Sequence, residues 1–107
     1  MAFRVAAASS DGKTVDLHFG EADSFYIYDL DKTGFSFVEK RGLERVFGHS
    51  AQEFDKVSLL LGDCSAVLIA KIGPGAARYL LEKGLRVFEA PYSISAVLDK
   101  LKTELVL

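Results

Sequence analysis

The sequence predicts an α/β domain with one five-stranded mixed sheet and three helices. Two observations predict this class. Three strand-like runs come first, joined by polar connections, and two further apolar runs then alternate with segments whose apolar residues recur at helical spacing. A chain of 107 residues, half of them hydrophobic, has the size and apolar content of one domain. We therefore expect a single domain over residues 1–107.

The first three strands are indicated by alternation and by residue type. Ala2–Ala8 is a short apolar run with period two, and Phe25–Leu30 is rich in aromatic and β-branched residues. Asp31–Gly34 has the residues of a tight turn, and Phe35–Lys40 alternates again. The second and third strands should form a hairpin.

A helix should begin at Ser50, because Ser50 and Glu53 have the spacing of a capping box. Gly62 suits its carboxyl end. Its apolar residues recur at helical spacing: Ala51, Phe54, Val57, Leu60 and Leu61. The next run, Ala66–Ala70, has no polar residue, which is typical of a strand buried on both faces and parallel to a neighbour.

A second helix should open at Pro74 and end at Gly84, followed directly by a strand over Leu85–Glu89. Ser93 can cap a third helix. Its apolar stripe is Ile94, Val97, Leu98, Leu101 and Leu105. The order βββαβαβα predicts a ribonuclease H-like arrangement, since right-handed crossovers return the later strands to the same sheet.

Composition excludes several classes of partner. The formal net charge is −2, and acidic and basic residues are mixed, so no basic face is expected for nucleic acid or anionic lipid. A single cysteine excludes an internal disulfide and a multi-cysteine metal site within one chain. The first residues resemble neither a signal peptide nor a membrane span. We expect a cytoplasmic protein that binds neither nucleic acid nor membrane.

The connection from Ser9 to Phe25 is too long and polar for a plain turn, and such connections are commonly functional. His18 is followed there by Phe19 and Gly20, a pattern that suits a ligand or an acid–base group at a rim. The alternative is an ordinary exposed histidine in a turn. We interpret this loop as the working loop.

The expected topology brings this loop to two others. Ligands in such sheets usually lie beyond the carboxyl ends of the parallel strands. Those ends lead into Lys71–Gly75 and Ala90–Ser93, and a first strand parallel to Ala66–Ala70 delivers Ser9–His18 to the same edge. We expect three loops to converge on one rim.

An enzyme is the less favoured class. The carboxylates that such a sheet could present are Asp11, Asp29, Glu39 and Asp63. A two-metal nuclease would also need a basic substrate groove, which an acidic chain lacks. Asp11 is more simply a turn residue, and Asp29 a surface residue of its strand. Cys64 lies between a helix stop and an apolar strand, where packing favours a small hydrophobic residue over ligation.

Motifs along nearly the whole chain resemble those of the dinitrogenase iron-molybdenum cofactor biosynthesis family. They are Ser9–Gly12, Val15–Gly20 with Phe25–Tyr28, Asp63–Leu68, Ile72–Gly75 and Gly84–Phe88. The resemblance implies a ribonuclease H-like fold that carries an iron-sulfur-based cofactor or its precursor, bound transiently, and performs no chemistry on it. Cofactor-assembly proteins would be its partners. Many members have a His-rich or Cys-containing segment where this chain retains only His49.

A preassembled cluster brings its own sulfides, so one or two protein donors could suffice. We expect His18 to be the principal donor, with Phe19 and Gly20 beside it, and His49 to rank second. Such a cluster is anionic, and Gly73 and Gly75 at the second helix, with Lys71, Arg78 and Lys13, could hold it electrostatically. The plainer interpretation is a helix start with solvated charges. The alternative function is a domain that binds a small anion, a metal ion or a partner protein.

Overall fold

The structure is a computed structural model that describes residues 3–44 and 51–104. Among them the predicted order βββαβαβα is confirmed. The elements are β1 (Phe3–Ala8), β2 (Ser24–Asp31), β3 (Gly34–Gly42), α1 (Ala51–Leu60), β4 (Ala66–Ile69), α2 (Pro74–Glu82), β5 (Arg86–Glu89) and α3 (Ile94–Glu104). Predictions for His49, Ser50 and Leu105, and for the side chains of Ala51 and Phe54, lie outside the described residues.

The five strands form one mixed sheet in the order β3-β2-β1-β4-β5. β2 pairs antiparallel with both β1 and β3, whereas β4 pairs parallel with both β1 and β5. The predicted hairpin is present, and Asp31 closes its turn by accepting hydrogen bonds from the N–H groups of Thr33 and Gly34 at 2.8 and 3.2 Å. The five-stranded mixed sheet is confirmed, and the ribonuclease H-like label stays a prediction.

Both faces of the sheet are covered, because alternate residues of β1 and β4 supply two separate cores. Ala6, Ala8, Val67 and Ile69 pack against α1 and α2. Val5, Ala7, Ala66 and Leu68 pack against α3. All four residues of β4 are buried, as the apolar run predicts. The small alanines of β1 let helices approach the sheet closely on both faces.

A network of charged side chains joins β1, β2, β3 and the turn before β4. Arg4 donates two hydrogen bonds to Asp29, at 2.8 and 3.0 Å, and one to Asp63 at 2.8 Å. Arg41 also donates to Asp63, at 2.6 Å, and to Glu39 at 2.9 Å. The sequence predicts that Asp29 is a plain surface residue of its strand. In the structure its carboxylate instead pairs with Arg4. The two guanidinium groups hold the pKa of Asp63 well below its usual range.

No helix within residues 3–44 and 51–104 has both the length and the apolar content needed to cross a bilayer.

We expect the metal-free chain to be folded, because both cores consist of apolar side chains and do not depend on a ligand cluster. Small zinc modules behave differently, since their folding free energy comes from metal binding. Circular dichroism in excess chelator should show a mixed α/β spectrum and a cooperative thermal transition. A chain that folds only after metal is added would contradict this expectation.

Asp63→Asn should destabilise the protein at neutral pH by removing the charge that pairs with Arg4 and Arg41. The Asp63 side chain is 47% exposed, so solvent screening limits the loss to about 1 kcal/mol. Because the folded-state pKa of Asp63 is lowered, its contribution is full above the unfolded value of about 3.9 and is lost as the pH falls below it.

Thermal unfolding between pH 7 and pH 2 measures this difference. The gap in Tm between wild type and Asp63→Asn should close in acid. Asp99→Asn is the matched control, since the Asp99 side chain is 72% exposed and pairs with Lys102 at 3.4 Å within α3. Equal losses of Tm in the two variants would assign the effect to net charge and not to the network.

Candidate functional site

The first part of the working loop is ordered by its own side chains. The Asp11 carboxylate accepts hydrogen bonds from the N–H groups of Lys13 and Thr14 at 2.8 and 3.1 Å, which lowers its pKa. Ser9 Oγ accepts from Gly12 N–H at 2.9 Å. Gly12 has a φ of +76°, and a Cβ there would lie 2.6 Å from the Tyr26 ring. Asp11 is thus a turn residue, as predicted, and the glycine is required by both its backbone angle and its packing.

The loop is then hydrogen-bonded to two other segments. Val15 N–H donates to the Tyr92 carbonyl at 2.9 Å, and Ile94 N–H donates to the Lys13 carbonyl at 2.8 Å. Further along, Ala70 N–H donates to the Leu17 carbonyl at 3.0 Å. The segments that follow β1, β4 and β5 therefore meet at the carboxyl edge of the parallel strands. The predicted convergence of three loops is confirmed.

His18 lies at this edge with its backbone paired to Lys71. The next residue, Phe19, donates its N–H to the Lys71 carbonyl at 2.8 Å and opens a short 3-10 turn, Phe19–Glu21. Phe19 is buried in the core on the α1/α2 face, whereas His18 is exposed. Phe19 thus anchors the loop and leaves the imidazole at the surface.

A pocket of about 420 Å³ lies between this turn and the segment after β4. Its lining contains five of the predicted site residues and two that sequence reasoning did not select: His18, Phe19, Gly20, Lys71 and Gly73, with Glu21 and Ile72. We name it the rim pocket. It presents one imidazole nitrogen as a donor, one ammonium group and one carboxylate, beside backbone groups.

Three other predicted residues lie outside this lining. Gly75 is the second residue of α2, and Arg78 is exposed one turn further along the helix. Lys13 is exposed at the start of α3, where its carbonyl accepts from Ile94. The structure therefore groups the histidine loop with Lys71 and Gly73 but does not bring Gly75, Arg78 or Lys13 into the rim pocket.

Cys64 is remote from the rim pocket, because it precedes β4 whereas the pocket follows β4. Its thiol is buried, 3.9 Å from Arg41 Nη1 and 3.6 Å from Asp63 Oδ1. Burial and the negative charge of Asp63 raise the pKa of Cys64 to about 12. Since the thiolate is the form that binds metal, this environment favours the packing role.

Glu89 is a further residue that sequence reasoning missed. It ends β5, and its carboxylate Oε1 accepts a hydrogen bond from the N–H of Ile72, in the rim pocket, at 2.9 Å. Glu89 also lines a second cavity, of about 540 Å³, between β5 and α3. Its position at the carboxyl end of a parallel strand was the signal that could have identified it.

Within residues 3–44 and 51–104, no group of three or more histidine, cysteine, aspartate or glutamate side chains is placed so that it could hold a metal ion. In this part of the chain, a metal bound at the rim pocket would have to bring most of its own ligands.

The chain is similar to proteins of nitrogenase cofactor assembly. The sequence profile of the family described as dinitrogenase iron-molybdenum cofactor matches residues 1–104. The FeMo cofactor biosynthesis protein NifB of Frankia alni is 32% identical over 107 residues, which cover 94% of this chain and 20% of that protein. Protein NifX of Sinorhizobium fredii is 34% identical over 110 residues, covering 92% and 68%.

The crystal structure of the protein PH0822 superimposes with a TM-score of 0.70 and 25% identity, covering 95% of this chain and 90% of that one. The chain therefore spans about a fifth of the NifB relative and about two thirds of the NifX relative.

Cys64→Ala should lower the free energy of unfolding by about 1 kcal/mol, as expected for the loss of a small buried group. Urea unfolding at pH 7 measures the change. In the wild type, the Cys64 thiol should react with a disulfide reagent only slowly until the protein unfolds, since it is buried and protonated. A thiol that reacts in the native state as fast as a free cysteine would contradict this placement.

Proposed function

The chain belongs to the family described as dinitrogenase iron-molybdenum cofactor, and from this membership we propose that it is a carrier in nitrogenase cofactor biosynthesis. Its cargo is an iron-sulfur-based cluster, either the iron-molybdenum cofactor or a precursor. The cluster binds transiently at the rim pocket and is passed on unchanged. The cytoplasm is the proposed compartment, because a reducing environment suits a lone thiol.

The main support for this proposal is the rim pocket. An exposed imidazole, His18, lies at its edge, and Lys71 supplies a positive charge within the same lining. A preassembled cluster has its own sulfides and a net negative charge, so one nitrogen donor and one ammonium group match its needs. A single donor also lets the cluster leave, which a carrier requires.

A resident metal ion is less well supported. Structural and catalytic metal sites use three or four protein ligands, and residues 3–44 and 51–104 provide no such group. His49, the second predicted donor, lies outside those residues. The rim pocket therefore favours cargo that arrives with its ligands over an ion that the protein must coordinate alone.

The carboxylates that an enzyme would need have structural partners. Asp11 holds the turn before Lys13, and Asp29 pairs with Arg4. Glu39 and Asp63 both pair with Arg41. Three of these carboxylates are thus neutralised by guanidinium groups, and the fourth holds a turn, so their observed partners give each of them a structural role. This supports a binding protein without catalytic activity.

Cofactor-assembly proteins are the proposed partners. The NifB relative is named as a FeMo cofactor biosynthesis protein, and the family to which this chain belongs is described as dinitrogenase iron-molybdenum cofactor. A carrier must receive its cluster from one protein and deliver it to another. We propose that both proteins bind at the rim pocket.

His18→Ala should abolish or strongly weaken cluster binding while Tm stays near that of the wild type. Because an exposed side chain contributes little to the core, the variant should lose cluster binding without losing stability. The measurement is anaerobic titration with a synthetic thiolate-ligated [4Fe–4S] cluster, followed by visible absorption and electron paramagnetic resonance. His49→Ala should have a smaller effect.

Cys64→Ala is the matched control, because it removes the other metal-ligating side chain type from a buried position. This variant should keep its cluster uptake. Equal uptake by wild type and His18→Ala would remove the histidine from the mechanism and favour the alternative, a pocket for a small anion or a partner protein. Loss of uptake in Cys64→Ala with an unchanged Tm would instead identify the thiol as a ligand.

A further inference from the structure

The wall of the rim pocket is held by a carboxylate from a neighbouring strand. Glu89 Oε1 lies 2.9 Å from the backbone nitrogen of Ile72. The backbone of Glu89 is fixed by the β4–β5 ladder, where it pairs with Ile69. A fixed residue thus holds the N–H of Ile72, next to Lys71, whose own backbone is already paired with the working loop at His18 and Phe19.

This bond also places a negative charge against the pocket wall. A hydrogen bond to an ionised acceptor is stronger than a neutral one, so the contact should restrain Ile72 effectively. The same charge repels an anion in the pocket and offsets the attraction of Lys71. Glu21 adds a second carboxylate to the lining. One ammonium group and two carboxylates therefore surround the pocket, and this excess of negative charge opposes long retention of an anion.

Resting on the proposed carrier function, we propose that Glu89 determines how long the rim pocket retains an anionic cluster. Through its hydrogen bond to Ile72 it positions the wall that faces His18. Through its charge it shortens retention, so that the cluster can be transferred. Glu89 is a positioning and retention residue and need not touch the cluster.

Glu89→Gln separates these two effects, because the amide oxygen can still accept from Ile72 whereas the charge is gone. Loaded with the synthetic [4Fe–4S] cluster, this variant should release iron to an excess of chelator more slowly than the wild type. For one unit charge removed within about one Debye length of a dianion, the expected slowing is about two- to fivefold. The decay of visible absorption under anaerobic conditions gives the rate.

Glu82→Gln is the matched control for net charge. Glu82 is exposed at the end of α2, whereas the start of that helix lies beside the pocket. Its variant should release the cluster at the wild-type rate. Equal slowing in both variants would assign the effect to overall charge and overturn the proposal, as would an unchanged rate in Glu89→Gln.

Amide hydrogen exchange on the metal-free protein tests the positioning role without any cluster. Exchange of the Ile72 N–H should be faster in Glu89→Ala than in the wild type and close to wild type in Glu89→Gln. An unchanged rate in Glu89→Ala would overturn this role. A wild type that takes up no cluster would refute the carrier function and the retention role together, whereas cluster uptake with equal release rates would refute the retention role alone.

Discussion

The parallel pairing of β1 with β4 is the constraint on which the rest of the structure depends. Val5, Ala6 and Ala7 are aligned with Ala66, Val67 and Leu68, although about sixty residues separate them along the chain. The pairing gives two strands the same direction, so the loop after β1 and the segment after β4 leave the sheet at the same edge. Without this pairing, the fold would not bring His18 and Lys71 to the same edge of the sheet.

The two ends of β4 have different roles. At the amino end of β4, the charges of Arg4, Asp29, Arg41 and Asp63 satisfy one another, and Cys64 is buried beside them. At the carboxyl end, His18 and Lys71 are exposed beside a pocket. The charged network therefore stabilises the sheet at the end opposite to the pocket, whereas the His18 and Lys71 side chains are exposed at the pocket.

Local sequence was enough to predict the elements and part of the site. Periodicity, turn residues and the apolar run before Ala70 identify each strand and helix to within a few residues, because these signals come from neighbours in the chain. His18, Phe19 and Gly20 were predicted because an unusually long polar loop contains them. Lys71 and Gly73 were predicted from the rule that ligands lie beyond the carboxyl ends of parallel strands.

What could not be predicted depends on register between distant strands. Asp29 faces Arg4 only because β1 and β2 pair in one particular alignment, and Asp63 reaches both arginines only after α1 has returned the chain to the sheet. Glu89 reaches Ile72 because β5 pairs with β4 so that Glu89 lies opposite Ile69. No spacing in the sequence encodes these contacts, since each joins residues whose separation is set by the whole fold.

Phe19 fixes the position of the working loop while the side chain of its neighbour His18 stays exposed. Its ring is buried with Ala8 and Ile69 in one core, and its N–H is bonded to Lys71. The entropy of ordering the loop is thus offset by burial of one aromatic side chain and by backbone bonds, not by the ligand. His18, one residue earlier, is held in place without being enclosed. The backbone around this donor is already ordered before any ligand binds, so binding and release need no folding or unfolding of the loop, which suits the proposed carrier role.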